Sequence, residues 1–389
     1  MSTFLFNDEQ RSIQEATQKL CERFDDDYWL THDQGAGFPE EFVAAVARDG
    51  WLGIAMPERF GGAGLGITEA CVMLQAVAES GAGFSGASAI HLNIFGLNPV
   101  VVFGTEEQQQ RMLPPLIRGE QRACFGVTEP NAGLDTTSIQ TMAARTNEGY
   151  VVNGRKLWTS SAQTADKILL LARTTSKEAS ARKTDGISLF YTDLNRDHVE
   201  VREIAKMGRK AVDSNAVFID GLPIPEEDRI GEEGHGFKYI LHGLNPERIM
   251  IAAEAVGLGR AALRKAVAYA KEREVFGRQI GSNQGIQHPL AKCWAELEAA
   301  NLMAFHAAQL YDAGEPCGGE ANAAKYLAGE ACFHACETAV MTHGGMGYAK
   351  EYHVERYMRE AFISRIAPVS REMILNFIGE KVLEMPRSF

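Results

Sequence analysis

Residues 245–274 read NPERIMIAAEAVGLGRAALRKAVAYAKERE, and this stretch decides the architecture of the carboxyl-terminal part of the chain. Its apolar residues recur at spacings of three and four, a pattern that predicts one long amphipathic α-helix. Asn245 is a good N-cap, and Pro246 suits the first helical position. Glu247 in the first turn faces the positive end of the helix dipole. Glu247 therefore has a structural reason to stand there, whatever else it does.

Two downstream segments repeat the helical pattern. They read QGIQHPLAKCWAELEAANLMAFHAAQLYDAG at 284–314 and EANAAKYLAGEACFHACETAVMTHGG at 320–345. Both are rich in alanine, and proline interrupts them only at Pro289. Together with 245–274 they predict that residues 236–389 form a carboxyl-terminal helical bundle of about four such helices.

Upstream of this domain the period of the apolar residues changes. Between 121 and 235, extended apolar runs lie between polar turns: KILLLARTT at 167–175, GISLFYTD at 186–193 and NAVFIDGLPIP at 215–225. Within EGYVVNGRKLWTSS at 148–161, Asn153-Gly154 predicts a type I′ hairpin turn. Residues 121–235 are therefore predicted to form a mostly β middle domain.

The amino-terminal part returns to helical periodicity. DEQRSIQEATQKLCERF at 8–24 and PEEFVAAVARDGWLGIAM at 39–56 both have apolar residues three and four apart. The chain is thus expected to be of the α+β class, with a helical domain over 1–120, the β domain over 121–235 and the bundle over 236–389. Because neither a P-loop nor a G-x-G-x-x-G turn occurs, a Rossmann-type nucleotide site is not supported.

Composition narrows the classes of partner. The 389 residues include 51 acids against 39 basic residues, and the net charge of -12 argues against nucleic acid or an anionic membrane surface as a partner. Neither a signal peptide nor a membrane span is recognisable, so a soluble, cytoplasmic protein is expected. The seven cysteines include no C-x-x-C pair, which fits a reducing compartment. No metal is predicted, because Cys332 and Cys336 suit close helix packing better than metal ligation.

Several long motifs, in the same order, resemble the acyl-CoA dehydrogenase family nearly end to end. They are MPERFGGAGLG at 56–66, FGTEEQQQRMLPPLIRGE at 103–120, ACFGVTEPNAGLDTTSIQT at 123–141, YVVNGRKLWTSSAQTADKILLLAR at 150–173, REVFGRQIGSNQGIQ at 273–287 and THGGMGYAKEYHVERYMREA at 342–361. The resemblance implies an amino-terminal helical domain, a β-barrel and a four-helix bundle. It also implies FAD, bound between barrel and bundle.

The resemblance assigns the flavin ring to two motifs of the β domain. Phe125, Val127 and Thr128 lie in the turn that would hold the pyrimidine edge of the isoalloxazine. Trp158 would cover a flavin face. Ser160 stands where the family usually has a threonine near flavin N5, and a serine keeps that donor. The alternative from the residues alone is that Trp158 packs in a core strand and Thr128 is an ordinary turn hydroxyl.

Further residues match the remaining FAD contacts of the family. In the family a neighbouring subunit binds the pyrophosphate and adenosine through the positions of Arg273, Phe276 and Gln284. Gly344 and Gly345 let the backbone approach the cofactor. Ser370 and Glu372 match further polar contacts. A contact from a neighbouring subunit implies a homo-oligomer, which in the family is a dimer of dimers.

The family removes the α proton of an acyl-CoA thioester while a hydride leaves the β carbon for flavin N5. Most members carry the catalytic base near the carboxyl terminus in a Tyr-Glu-Gly-Thr run, where this chain has Ala367, Pro368, Val369 and Ser370. A subgroup resembling isovaleryl-CoA and long-chain dehydrogenases instead carries the base in a Glu-Arg pair on a bundle helix.

The pair Glu247-Arg248 stands at that alternative position. Glu247 is therefore predicted to be the base, and the alternative is a helix-end acid that moves no proton. Glu254 lies on the same helical face about 10 Å farther along the axis, and is predicted to pack or to make a buried hydrogen bond.

Three residues are predicted to face the substrate: Leu134, Arg248 and Ala367. Leu134 departs from the serine usual in the family, and the small Ala367 leaves room for a branched or bulky acyl group. Pro368 conflicts with the usual mechanism of the family in a further way. The family uses the backbone N–H at this position to polarise the thioester oxygen, and proline has no N–H. Loss of one such donor typically costs about 10²- to 10³-fold in rate.

The resemblance thus implies an FAD-dependent α,β-dehydrogenase of fatty or branched acyl-CoA, which passes electrons to an electron-transfer flavoprotein. Pro368 and Leu134 keep two alternatives open. One is altered chemistry on a CoA thioester, such as enoyl-CoA reduction or elimination. The other is a non-catalytic flavoprotein.

Overall fold

The amino-terminal helices start at side-chain caps. The computed structural model describes residues 6–388. Asn7 and Thr105 each accept a hydrogen bond from the backbone of a glutamine three residues on, and that glutamine bonds back to the cap backbone, which satisfies otherwise free N–H groups. The helices of this part are α1 (Asp8–Cys21), α2 (Asp26–Thr31), α3 (Glu40–Arg48), α4 (Ile67–Val77), α5 (Gly83–Phe95), α6 (Asn98–Phe103) and α7 (Glu106–Ile117).

The run from α4 to α6, Ile67–Phe103, is long and apolar enough by length and composition to cross a membrane. Its backbone is not one straight helix, because Gly81 has a non-helical φ of 113°. Of its most apolar window, 67% is buried inside the fold. Most of this window is therefore covered by other parts of the fold, as core helices are.

The middle of the chain is a sheet. Its strands are β1 (Ala123–Gly126), β2 (Met142–Thr146), β3 (Gly149–Ser160), β4 (Lys167–Arg173), β5 (Ile187–Asp193), β6 (Val199–Glu203), β7 (Ser214–Pro225) and β8 (Arg229–Ile230). Within residues 6–388 they form one eight-stranded sheet, in the order β6-β7-β3-β2-β4-β5-β8. β1 pairs in parallel with the first part of β4, and β2 meets β4 at its last residue, Arg173.

The packing of β4 explains why its sequence is a continuous apolar run. Ile168 and Leu170 belong to a core that the strands enclose among themselves. Leu169 and Leu171 belong to a second core, which includes Leu113 of α7. Because both faces of β4 are covered, its residues do not alternate between apolar and polar.

The predicted hairpin turn at Asn153-Gly154 is wrong. The turn between β2 and β3 lies at residues 147–148, and Thr146 pairs with Gly149. Gly154 is inside β3, where the register against β7 shifts, with φ 158°. The Asn153 side chain instead accepts a hydrogen bond from Gly221 N at 2.8 Å. A dipeptide that favours a turn here forms a β-bulge, which also uses a glycine.

The carboxyl-terminal part is helical again. Its elements are α8 (Gly236–His242), α9 (Leu244–Glu272), α10 (Gln284–Asp312), α11 (Gly318–His343), α12 (Val354–Ala361), α13 (Ile363–Ile366) and α14 (Arg371–Phe377), with β9 (Glu274–Val275) and β10 (Arg278–Gln279) as a small hairpin. A Cβ at Gly259 of α9 would lie 3.2 Å from Cys332 Cα of α11, so small residues allow close packing of the long helices. The α+β class and the order helical, β, helical are thus confirmed.

The prediction that Asn245 caps the long helix is wrong. α9 starts at Leu244, and Gly243, with φ -78° and ψ -9°, continues the turn from α8. Asn245 and Pro246 are therefore inside the first turn. The Asn245 side chain accepts a hydrogen bond from Arg248 Nη1 at 3.0 Å instead of capping a backbone N–H.

The first helical part and the bundle share one apolar core. At its edge, Asp312 at the end of α10 accepts bonds from Ile67 N at 2.8 Å and Thr68 N at 2.9 Å, and so caps α4 from outside its own segment. All seven cysteines are buried and free.

Candidate active site

A buried ion pair holds the two flavin motifs of the β domain side by side. Lys156 Nζ donates to Glu129 Oε1 at 2.8 Å and to the Val127 carbonyl at 3.2 Å. Leu157 N donates to the Thr128 carbonyl at 2.8 Å. These bonds fix the turn after β1 beside the end of β3. Phe125, Val127, Thr128, Trp158 and Ser160 therefore lie in one region.

Trp158 is turned out of the core. Its side chain is 54% exposed, so it does not pack as a core strand residue. Its backbone has φ 61°, in the left-handed region where a bulky residue is uncommon. Such strain costs about 1–3 kcal/mol and concentrates at functional sites. The indole therefore leaves apolar surface accessible to a ligand.

Glu247 lies in the first turn of α9, half-buried. Within residues 6–388 its carboxylate accepts no hydrogen bond. Burial is the main cause of a pKa raised above the usual glutamate value, and the Glu254 carboxylate adds to it. The nearby charges of His91, Arg248 and Lys325 act in the opposite direction. The environment therefore fits a carboxylate that takes up a proton more readily than an exposed one.

Lys325 on α11 fixes the loop beside Glu247. Its ammonium donates to the carbonyls of Ser364 and Val369, the latter at 3.0 Å. Burial lowers the pKa of Lys325 to about 8. The loop it holds contains Ala367 and Pro368. The structure thus brings the predicted base, Arg248 and this loop to one end of the bundle.

One face of α5 lies close to Glu247, whose charge acts to raise the pKa of His91 on that helix. Ser88 and Leu92 retain partial exposure on an otherwise buried helix, and His91 lies between them. His91 Nδ1 is 2.6 Å from Glu254 Oε1, and Glu254 is fully buried, which confirms the predicted buried hydrogen bond of Glu254. Burial alone would lower the pKa of His91, but the adjacent carboxylate raises it above the usual value.

The second group of predicted FAD residues lies at the other end of the bundle. Arg273 follows the last residue of α9, whose 29 residues span about 43 Å. Gly344 follows α11, and the His343 ring before it stacks on Tyr269 near the same end of α9, with ring centroids 4.3 Å apart. Phe276, at the turn of the β9–β10 hairpin, is fully exposed. The group, which is Arg273, Phe276, Gln284, Gly344 and Gly345, is not near Glu247 of its own chain.

The remaining predicted residues have local roles in the single chain. Ser370 caps α14, accepting from Met373 N at 3.4 Å. Glu372 is paired with Arg371 Nε at 2.6 Å. Leu134 is 65% exposed on the loop after β1. No hydrogen bond or ion pair in residues 6–388 joins these three to Glu247.

Sequence reasoning missed Ser88, His91, Arg209 and Lys325. His91 and Lys325 are polar residues within apolar or alanine-rich helices, a signal that marks them only as candidates. Arg209 follows Gly208 in an irregular segment with no periodicity to place it. Their assembly depends on contacts between segments far apart in sequence.

Other features of residues 6–388 do not form part of this site. They contain no group of three or more His, Cys, Asp or Glu that could hold a metal. A cleft of about 900 Å³ lies between α7 and the segment around β8, lined by Phe103, Arg111, Arg229 and Tyr239 among others. None of the predicted site residues lines it.

Family models match the chain along most of its length. They are the acyl-CoA dehydrogenase N-terminal domain over residues 7–120, the middle domain over 124–222 and the C-terminal domain over 234–383.

Known proteins agree with these matches. The acyl-CoA dehydrogenase FadE12 of Mycobacterium tuberculosis is 35% identical over 403 residues, covering 100% of this chain and 99% of its own. The caffeyl-CoA reductase-Etf complex subunit CarC of Acetobacterium woodii is 33% identical and covers 86% of this chain and 87% of its own. The structure of butyryl-CoA dehydrogenase from Megasphaera elsdenii superposes with a TM-score of 0.92 at 29% identity, covering 97% of this chain and 99% of its own.

Proposed function

Because the chain belongs to the acyl-CoA dehydrogenase family, a family of oxidoreductases, we propose that it catalyses α,β-dehydrogenation of an acyl-CoA thioester with FAD as cofactor and Glu247 as base. The observation that carries the proposal is the position of Glu247. Its half-buried carboxylate has a raised pKa, lacks a protein hydrogen-bond partner within residues 6–388, and lies close enough to His91 of α5 for the two charges to interact.

The residues present fit FAD. Trp158 is exposed in a strained backbone conformation that turns its ring outward, and Thr128 and Ser160 add polar groups in the same region. Gly344 and Gly345 have open space where a side chain would stand, so a ligand could approach their backbone. When bound, FAD supplies the acceptor for the hydride that leaves the substrate β carbon.

Glu247 would remove the α proton. The ionised carboxylate is the active form, and partial desolvation brings its pKa toward the working pH, as a general base requires. Arg248 beside it is itself half-buried and bonded to Asn245, so it keeps a positive charge near the carboxylate without pairing with it. Together they meet the requirement for a base that is ionised but poorly solvated.

The polarising donor that Pro368 lacks has a candidate one residue on. The Val369 N–H has no protein acceptor within residues 6–388, while the Val369 carbonyl is held by Lys325. Fixing that carbonyl also fixes the orientation of the neighbouring peptide groups. We infer that the Val369 N–H polarises the thioester oxygen in place of the missing amide.

The partners follow from the same family membership. We propose a homotetramer, in which the Arg273–Phe276–Gln284 end of one chain completes the FAD site of another. An electron-transfer flavoprotein is the proposed electron acceptor, and its support is the Etf complex to which the relative CarC belongs by name. We propose a cytoplasmic location from the soluble fold and the reduced cysteines.

The test is anaerobic titration of the purified holoenzyme with straight, branched and aromatic acyl-CoAs, with flavin absorbance as the readout. Wild-type flavin should bleach with one acyl class, and the Glu247→Gln variant should keep its FAD but not bleach. Glu272→Gln, an exposed acid at the other end of α9, is the matched control and should behave as wild type. Bleaching that survives in Glu247→Gln contradicts Glu247 as the base.

A second candidate is enoyl-CoA reduction, favoured by Pro368 and by the reductase named among the relatives. It predicts that chemically reduced flavin is reoxidised by an enoyl-CoA faster than an acyl-CoA reduces the oxidised flavin. If no thioester changes the flavin spectrum, the non-catalytic alternative replaces both.

A further inference from the structure

Arg209 is a charged residue in an energetically unfavourable backbone conformation. Its backbone has φ 54°, in the left-handed region, and Gly208 before it lies against the backbone of Arg359 and Glu360. Its guanidinium reaches inward to hydroxyls of two domains, donating to Ser88 Oγ on α5 at 3.2 Å, to Ser160 Oγ at 3.0 Å and to Ser214 Oγ at 3.1 Å. Strain and burial at one residue concentrate at functional sites.

The charge of Arg209 is not neutralised by contact. Within residues 6–388 no carboxylate oxygen lies within ion-pair distance of its guanidinium, and its Nε is buried without an acceptor. The acids that act on it through space already have other partners: Glu360 accepts from Ser85, Glu254 contacts His91, and Asp213 accepts from Asn215. A half-buried cation bonded only to hydroxyls leaves part of its desolvation cost uncompensated.

This cation borders the space where the acyl group would lie. Ser88, to which Arg209 is bonded, is on the accessible face of α5, and His91 is one turn farther on the same face. His91 contacts Glu254, which is seven residues beyond Glu247 on α9, or about 10 Å along the axis. Glu254 Oε2 is also buried without a partner. Arg209, His91 and Glu254 thus form a polar cluster beside the accessible face of α5, which we call the polar floor; Arg209 is half-buried, whereas His91 and Glu254 are buried.

We propose that Arg209 is a specificity-determining residue and that the acyl group of the substrate carries a carboxylate, which the polar floor binds. The inference rests on the proposed dehydrogenation and names its substrate class. His91 next to Glu254 forms a pair with little net charge, and Glu360 and Asp213 are bonded to other groups, so Arg209 is a cation of the floor without a contacting anion. A straight hydrocarbon end would leave the guanidinium without an anion, whereas a carboxylate supplies charge-assisted hydrogen bonds.

The test compares matched thioesters on the holoenzyme. Hexanoyl-, octanoyl- and decanoyl-CoA and their ω-carboxylated counterparts are mixed anaerobically with the enzyme, and the second-order rate constant of flavin bleaching is measured. The wild type should prefer the carboxylated member at one chain length. Arg209→Gln should lower the rate constant for that member by about 10- to 100-fold more than it lowers the rate constant for the neutral member.

Controls separate this role from folding or flavin effects. Arg209→Lys keeps the charge and should recover part of the preference. Lys210→Gln makes the same charge change at the exposed neighbouring residue and should keep the wild-type preference. Flavin content should be the same in all variants. The ratio of the two rate constants within one variant cancels any change in the flavin that follows from loss of the bond between Arg209 and Ser160.

The experiment distinguishes failure of the carboxylate inference from failure of the proposed dehydrogenation. Wild-type bleaching that favours the neutral thioesters at every length overturns the carboxylate inference and leaves the dehydrogenase proposal standing. Equal loss with both members in Arg209→Gln assigns Arg209 to the flavin or to folding, and also overturns it. Bleaching by no thioester removes the proposed function, and the inference with it.

Discussion

At the scale of single residues, the environment of Glu247 makes a pH prediction. The ionised carboxylate is the form that accepts a proton, and burial raises its pKa above the usual value of about 4.3. The rate of flavin reduction should therefore fall as pH decreases through a pKa higher than that of an exposed glutamate. A pH profile of anaerobic flavin bleaching checks this. An acid limb at or below the ordinary glutamate value would show that Glu247 is solvated or is not the base.

A functional residue can be proposed from the sequence only where it stands within a recognisable motif. Glu247 could be proposed from the sequence because an arginine follows it in a helix that matches a known pattern. Arg209 could not, since its role depends on reaching Ser88 and Ser160 across two domain boundaries. No periodicity in the sequence encodes such a meeting.

At the scale of elements, the bulge in β3 is a strict glycine position. A Cβ on Gly154 would lie 2.5 Å from Thr141 Oγ1 and 2.7 Å from its Cα, and the backbone φ is 158°. Gly154→Ala should therefore lower the free energy of unfolding by about 1–3 kcal/mol. The thermal midpoint of the holoenzyme measures it. Gly133→Ala, in a loop with no atom within 4 Å of the place that the new methyl group would take, should leave the midpoint nearly unchanged.

The cap that Asp312 places on α4 ties the bundle to the amino-terminal helices. Its carboxylate accepts from two backbone N–H groups and from the Thr68 hydroxyl, the last at 2.6 Å. Asp312→Ala should cost about 1–2 kcal/mol of stability. Chemical denaturation of the two proteins side by side gives the difference. Glu315→Ala, an exposed acid in the same connection, is the control, and an equal effect in both would contradict the cap.

Whether a segment is a helix or a strand can be predicted from the spacing of its apolar residues. The residues at which it begins and ends cannot be predicted in this way. Asn153-Gly154 favours a turn and a bulge for the same reason, a glycine free to take a positive φ. Only pairing with β7 decides between them. Asn245 fails as a cap because α8, one residue upstream, continues the helical turn through Gly243.

At the scale of the whole molecule, the two groups of FAD residues predict a cofactor affinity that depends on assembly. The groups lie at opposite ends of α9, about 43 Å long, so one chain does not gather both around one flavin. Arg273→Ala should weaken FAD retention without changing the acyl preference. Gel filtration with flavin absorbance, over a dilution series, measures it. FAD that stays bound to a monomer would contradict the shared site.

The overall architecture was predictable because three long segments each keep one period. The site was predictable in part, since its motifs carry Trp158, Thr128 and Glu247. The polar floor and Lys325 were not, because a lone polar residue in an apolar helix does not reveal its partner. The domain limits at 120 and 235 stay predictions.

Because every thiol is buried, labelling of the cysteines can be used to follow the unfolding of the protein. Burial raises the pKa of Cys21 to about 11 and that of Cys124 to about 12, so the reactive thiolate is scarce as well as inaccessible. An alkylating reagent should therefore leave the folded protein unlabelled. The thiols are spread over the fold: Cys21 and Cys71 in the first helices, Cys124 in β1, and Cys293, Cys317, Cys332 and Cys336 in the bundle. The order in which they become labelled during unfolding would give the order in which the three parts come apart.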